Sequence, residues 1–314
     1  MQIHSSLDAY TGSNAIVTMG TFDGVHPGHR ALLERVKHLA SAEGAESVAV
    51  TFWPHPRIVL NQDVQKLRLL TTLEEKINII SELGIDHLVV LPFDESVYTL
   101  SAEEFIRQIL VEKIRMKHLV IGYNHRFGKG GSTLEDNIRY AGKYGFELSQ
   151  FRHIDIDGHY PSSTKIRNLL MEGNIPQANF LLGYSYTISG QVTGGMKLGR
   201  KLAYPTANLI ISEKAKLVPP DGVYACRVKV LGKIFGGMVN IGIRPTVNNQ
   251  MDNRSIEVHI LDFHDDIYSE EVSLQFLTKT REEMKFPGLD ELREQLKRDE
   301  SQIRSILNNY TLTQ

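Results

Sequence analysis

"VTMGTFDGVHPGHRALLERV" (residues 17–36) passes from a short β-rich segment, through a turn carrying Gly20, Gly24 and Gly28, into a helical pattern. Leu32, Leu33, Val36, Leu39 and Ala40 recur at helix spacing after it. A strand feeding directly into a helix is the start of a β–α unit, and the following sequence repeats the alternation. "SVAVTF" (47–52), "HLVVLPF" (87–93), "HLVIGY" (118–123) and, more weakly, "ELSQFRHI" (147–154) read as further strands after "AIVTM" (15–19). Leu73, Ile77, Ile80 and Leu83 mark a helix between two of them. Ser101 with Glu104, and Thr133 with Asp136, have the spacing of helix-starting capping boxes. The expectation is an α/β domain with a mostly parallel sheet covered on both faces. Ligands of such sheets sit beyond the carboxyl ends of the strands, which is where the opening turn falls.

The pattern changes near Gly183. "YSYTISGQV", "PTANLII", "GVYACRVKV", "KIFGGMVNIG", "SIEVHILDF" and "EVSLQFL" are short strands with little helix between them, and "VLGKI" reads as a hairpin turn. Six such strands imply a small antiparallel β-barrel, closed or nearly so. One C-terminal helix follows, with Leu289, Leu292, Leu296, Ile303 and Ile306 as the stripe that docks on the barrel. Two domains are therefore expected, 1–182 and 183–314, which suits a chain of 314 residues.

Apolar residues make up 41 % and charged residues 23 %, an ordinary globular mix, and the formal net charge is −2. Nothing in that balance calls for nucleic acid or an anionic membrane as partner. Cys226 is the only cysteine, so neither a disulfide framework nor a cysteine zinc site is expected, and a reducing cytoplasm is the simple location. "MQIHSSLDAY" does not read as a signal peptide, and no apolar run is long enough to span a bilayer.

A glycine-bearing turn at a helix start lets the backbone approach a phosphate, and the helix terminus adds free N–H groups. His26 and His29, three apart, can then reach one anion, and Gly28 leaves space where an adenine or ribose could pack. An isolated H-x-x-H would be read as two surface histidines. Set within G-x-F-D-G-x-H-x-G-H after a strand, it resembles the signature of the nucleotidyltransferase superfamily. The resemblance implies attack on the α-phosphorus of ATP and assigns Gly20, Phe22, Asp23, Gly24, His26, Gly28 and His29 to the nucleotide. It also leads one to expect a second signature, S-S-T-x-x-R. "PSSTKIR" supplies it as Ser162, Ser163, Thr164 and Arg167. "TFWPHPRIVL" (51–60) and "IGYNHRFGKGG" (121–131) narrow the likeness to the FMN adenylyltransferase module of bacterial bifunctional FAD synthetases. That likeness implies Asn124 at the nucleotide and Pro54, His55, Pro56 and Phe127 at the flavin.

In the second half, Gly194, Lys197, Gly199 and Lys201 look like a phosphate-covering loop. Thr206 and Asn208, two apart in an extended run, point to one side and could share a Mg2+ ion. Pro-Thr-Ala-Asn (205–208) resembles the signature of the riboflavin kinase barrel, and the later stretches follow in that family's order. Glu257 alternates against Ile256 and Val258, so it faces away from the apolar core together with His259. The resemblance makes Glu257 the base that activates the riboflavin hydroxyl, with Arg281 and Phe286 near the flavin. Ser269 and Glu270 follow Tyr268 where the family usually has a glycine, a departure in a turn.

The implied chemistry is two steps: riboflavin and MgATP give FMN in the barrel, and FMN with a second ATP gives FAD and pyrophosphate in the α/β domain. An aminoacyl-tRNA-synthetase relative would need a K-M-S-K-S-type motif and a basic tRNA surface, and neither is evident. A non-catalytic flavin-binding regulator is opposed by the intact His26, His29, Thr206, Asn208 and Glu257. Homo-oligomerisation is left open by the sequence.

Overall fold

The computed structural model describes residues 1–60, 67–123, 126–152, 155, 158, 160–194, 204–243 and 254–311. They form two compact units, Met1–Ser163 and Thr164–Gln314.

In the first unit the chain runs β1 (Gln2–His4), β2 (Ala15–Met19), α1 (Pro27–Glu43), β3 (Glu46–Trp53), α2 (Pro56–Val59), α3 (Leu73–Glu82), β4 (His87–Pro92), α4 (Glu95–Tyr98), α5 (Ala102–Phe105), β5 (Met116–Gly122), α6 (Leu134–Tyr144) and β6 (Glu147–Phe151). The six strands pair in the order β1-β4-β3-β2-β5-β6, every pair parallel. Every residue of β2 is buried, as a central strand covered on both faces requires. Side-chain alternation splits the core in two. Val17, Met19, Val48 and Val50 face Phe105, Ile109 and Phe127, whereas Ile16, Ala49 and Leu88 face Leu32, Leu33 and Val36 of α1.

Both capping boxes form as expected, Ser101–Glu104 at α5 and Thr133–Asp136 at α6. After Phe105 the helix widens to π geometry over Ile106–Lys113, which the periodicity does not signal. Strand β1 is also additional: three residues are too few to show a period, and it is placed by parallel pairing with β4.

The second unit holds most of α7 (Ser163–Met171), then α8 (Ile175–Leu182), β7 (Thr187–Thr193), β8 (Ala207–Ile210), β9 (Gly222–Val230), β10 (Lys233–Ile243), β11 (Arg254–Ile260), β12 (Glu271–Arg281) and α9 (Leu289–Thr311). The strands close a barrel in the order β10-β11-β8-β7-β12-β9, and the β9–β10 pairing completes the ring. The expected hairpin turn is Leu231-Gly232, both at positive φ, the twist-matched geometry of a two-residue loop.

Two details depart from the sequence reading. Helices α7 and α8 go with the barrel, so the contact boundary falls at 163/164 rather than 182/183. The tie is visible in Asn179, whose amide donates to the Phe276 carbonyl and accepts from the Tyr186 N–H. In α9, Leu292, Leu296, Ile303 and Ile306 pack beside Val223, Ala225 and Met238, joined by Leu307. Leu289 instead opens the helix and is exposed. No helix among the described residues is long and apolar enough to cross a membrane.

Candidate functional sites

The turn after β2 is held in a compact, high-energy shape. Phe22, Gly24 and Val25 all have positive φ (45°, 81° and 36°). For the two non-glycine residues this costs about 1 kcal/mol or more each, sustained only where the surroundings dictate it. Those surroundings are explicit. Asp23 is 2 % exposed, and its Oδ1 accepts from the Leu70 and Thr71 N–H groups at 2.9 and 3.1 Å. Gly24 N–H donates to Thr71 Oγ1 at 3.1 Å, and Ser163 Oγ donates to the Asp23 carbonyl at 2.9 Å. Phe22 is buried with its ring edge-on to His29. Phe22 and Asp23, expected at the nucleotide, therefore shape the turn.

His26 is the N-cap of α1, with Pro27 at the first helical position. Its side chain makes no capping bond. Instead the His26 and His29 rings stack, centroids 3.8 Å apart and 17° from parallel. The Nδ1 atoms of both are buried without a hydrogen-bond partner. Burial pushes His26 down to about 4, against the Asp23 charge. His29 lies well below its ordinary value, through burial first and then through His26 and Lys76. Both are thus neutral imidazoles at neutral pH.

Gly28 also has a different role from the one expected. A Cβ there would stand 3.2 Å from the His26 ring, so the glycine leaves room for that ring before any ligand. Gly20 has a similar relation to Phe22.

At the end of β3, Pro54 is exposed and His55 is the buried N-cap of α2, its Nδ1 accepting from the Arg57 N–H. Pro56 begins that short helix. Phe127 is 1 % exposed and sits in the core with Phe105. Ser162 and Thr164 are exposed and Arg167 is buried, the latter two in the second unit. Asn124, Lys197, Gly199 and Lys201 lie outside the described residues.

On the barrel, Thr206, Asn208 and Glu257 come together. Asn208 of β8 stands directly opposite Glu257 of β11, and Thr206 Oγ1 donates to Glu257 Oε2 at 3.3 Å. The alternation holds: Ile256 and Val258 are buried, while Glu257 is half-exposed. His259 Nδ1 is 2.8 Å from the Pro205 carbonyl, which pins the segment carrying Thr206. A cavity of about 390 Å³ opens beside Thr206, lined by Thr193, Val258, Phe263, Asp266 and Tyr268 among others. Gly194 stands next to the Tyr268 ring.

Arg281, expected at the flavin, is committed elsewhere. Its guanidinium grips both oxygens of Asp299 on α9 at 2.7–3.0 Å, and Phe286 lies under it. Asp299 is 1 % exposed. Sequence reading did not find Asp299, Lys76 or the 263–268 segment. The first two sit inside ordinary helical patterns, and the last carries no motif.

Family comparisons divide the chain in the same order as its α/β and barrel parts. Residues 9–165 match the FAD synthetase family and residues 182–307 the riboflavin kinase family. The chain belongs to the bifunctional riboflavin kinase/FMN adenylyltransferase family. It is 37 % identical over 299 residues to the enzyme of that name from Listeria monocytogenes, covering 95 % of this chain and 94 % of that one. The Escherichia coli K12 enzyme is 37 % identical over 287 residues, covering 91 % and 90 %. Among solved structures, a Streptococcus pneumoniae protein described as a macrolide-efflux protein superposes with a TM-score of 0.86 at 30 % identity, covering 96 % of this chain and 98 % of that one. The chain therefore carries riboflavin kinase and FMN adenylyltransferase activities, which produce FMN and then FAD from riboflavin and ATP.

Proposed function

We propose that the two activities divide between the two centres described above, the kinase within 183–314 and the adenylyltransferase within 1–182. The observation that carries the kinase assignment is the hydrogen bond from Thr206 to Glu257, with Asn208 directly across the β8–β11 pair. A carboxylate, a hydroxyl and an amide oxygen on one patch form an oxygen donor set of the kind Mg2+ accepts. Thr206 and Asn208 would hold that ion, which would supply positive charge against the ATP phosphates. Glu257 takes the proton of the riboflavin 5′-hydroxyl as that oxygen attacks the γ-phosphorus. The adjoining cavity, with Phe263 and Tyr268 in its lining, accepts the nucleotide.

In the α/β unit the attacking group is the FMN phosphate, which is already ionised, so no general base is required. The phosphate oxygen bonds to the α-phosphorus of ATP and the bond to pyrophosphate breaks. His26 and His29 orient and stabilise the phosphates as neutral N–H donors. Ser163 closes the same turn, its hydroxyl bonded to the Asp23 carbonyl. A cytoplasmic site of action fits a single cysteine whose thiol is buried.

The test is a separation of function. Glu257→Gln should abolish FMN formation from riboflavin and leave FAD formation from supplied FMN unchanged. Thr206→Val should raise the Mg2+ concentration needed for the first step only. Loss of both activities from folded Glu257→Gln protein would refute the division.

A further inference from the structure

The two histidines of the signature are poor carriers of positive charge. Imidazolium rings stacked at 3.8 Å would repel strongly, and both Nδ1 atoms lie buried without a partner. A polyphosphate site nonetheless needs positive charge, and within the first unit the fold buries a cation beside them. Lys76 of α3 is 2 % exposed. Its Nζ makes one hydrogen bond among the described residues, a long one of 3.5 Å to Thr51 Oγ1, and lies 5.6 Å from the centroid of the Trp53 ring.

The placement of Lys76 follows from the turn itself. Asp23 and Gly24 bind the Leu70–Thr71 backbone and the Thr71 hydroxyl, and α3 starts two residues later with a Thr72–Glu75 capping box. The signature turn is thereby tied by hydrogen bonds to the segment that leads into the helix carrying Lys76. Among the described residues, the titratable groups that act on Lys76 are Asp23 of this turn and His29 of α1, while β3 presents Thr51 and Trp53.

We propose that Lys76 is a charge-bearing positioning residue of the adenylyltransferase centre: it supplies positive field for the ATP phosphates and holds His29 in its neutral, N–H-donating form. This rests on the assignment of adenylyl transfer to the first unit. Lys76 exchanges no atom or proton in the step. It stabilises the charge that moves onto pyrophosphate as the bond from the α-phosphorus breaks. A lysine compensating Asp23 alone would serve stability and leave ATP kinetics unchanged.

Burial pushes Lys76 down to about 8, with Asp23 acting in the opposite direction. The free enzyme should therefore lose its cation above that pH. For the wild type, kcat/KM for ATP in FAD formation from FMN should be level from pH 6 to 7.5. It should then fall by about tenfold per pH unit above 8. Lys76→Met should lower kcat/KM by about 100-fold at pH 7 and remove the alkaline limb. Riboflavin phosphorylation by the same preparation should be unchanged, which reports that the variant is folded and keeps the assignment of activities separate from this proposal. A variant within threefold of wild type, or one retaining the same alkaline limb, would overturn it. If Lys76→Met fails to fold, the wild-type histidine resonances decide. Neither His26 nor His29 should titrate between pH 5.5 and 8, and a midpoint above 6 for either would place the cation on the histidines and overturn the proposal.

Discussion

Replacing Arg281 with methionine separates a structural tie from a flavin contact. The Asp299 carboxylate is 1 % exposed and receives Arg281 Nε on both oxygens, Arg281 Nη2 on one and Gln295 Nε2 on the other. Removing the guanidinium leaves a buried charge with one neutral donor. Breaking such a pair costs about 3–5 kcal/mol. For a unit of this size that corresponds to a fall of roughly 10 °C in its melting temperature. The single tryptophan, Trp53, lies in the first unit and reports on that unit's unfolding. Circular dichroism should therefore show an early transition in Arg281→Met that tryptophan fluorescence does not follow. The double variant Arg281→Met/Asp299→Leu should recover most of the loss, because it removes both charges. The KM for riboflavin, measured well below the transition, should stay within threefold of wild type. An unchanged melting temperature together with a tenfold rise in that KM would refute the structural reading.

Three further outcomes follow from local geometry. Because His26 is neutral when folded, with a value of about 4, and near 6.5 when unfolded, the unfolded chain binds more protons between those values. Stability of the first unit should therefore decline as pH falls from 6.5 toward 4, by about 3 kcal/mol in total from this group; a Trp53 transition unmoved over that range would contradict it. Gly128 has φ +61°, and a Cβ there would fall within 2.6 Å of the Ser101 and Ala102 backbone, so Gly128→Ala should destabilise the first unit by about 2 kcal/mol or more in urea titrations. Ser269 has φ +66°, a conformation that favours glycine, so Ser269→Gly should raise the stability of the barrel unit by about 0.5 kcal/mol; a lowered denaturation midpoint would contradict that.

Elements with a strong local period were legible in the sequence. β2 was read with its observed ends, α1 followed from its apolar spacing, and the outward face of Glu257 followed from alternation. Elements made by tertiary pairing were not. β1 has three residues, and the barrel's claim on α8 depends on Asn179 meeting strands far along the chain. The same distinction holds at the sites. Asn208 and Glu257 lie in strands whose side chains alternate, and Thr206 directly precedes β8, so the side each one faces follows from spacing. Phe127 and Arg281 lie where three-dimensional packing decides, one in the core and the other clasping Asp299. Lys76 was invisible because a lysine in an amphipathic helix ordinarily points to solvent. It is buried on a helix that begins two residues after the Leu70–Thr71 segment held by Asp23 and Gly24.

The most direct test of the two-centre account is complementation in a single tube. Glu257→Gln protein, His29→Ala protein and an equal mixture would each receive riboflavin, ATP and Mg2+, with riboflavin, FMN and FAD followed by chromatography. The account expects no product from Glu257→Gln alone and FMN with only a trace of FAD from His29→Ala alone. The mixture should form FMN and convert it to FAD. Substantial FAD from either variant alone, or an inactive mixture of folded proteins, would contradict it.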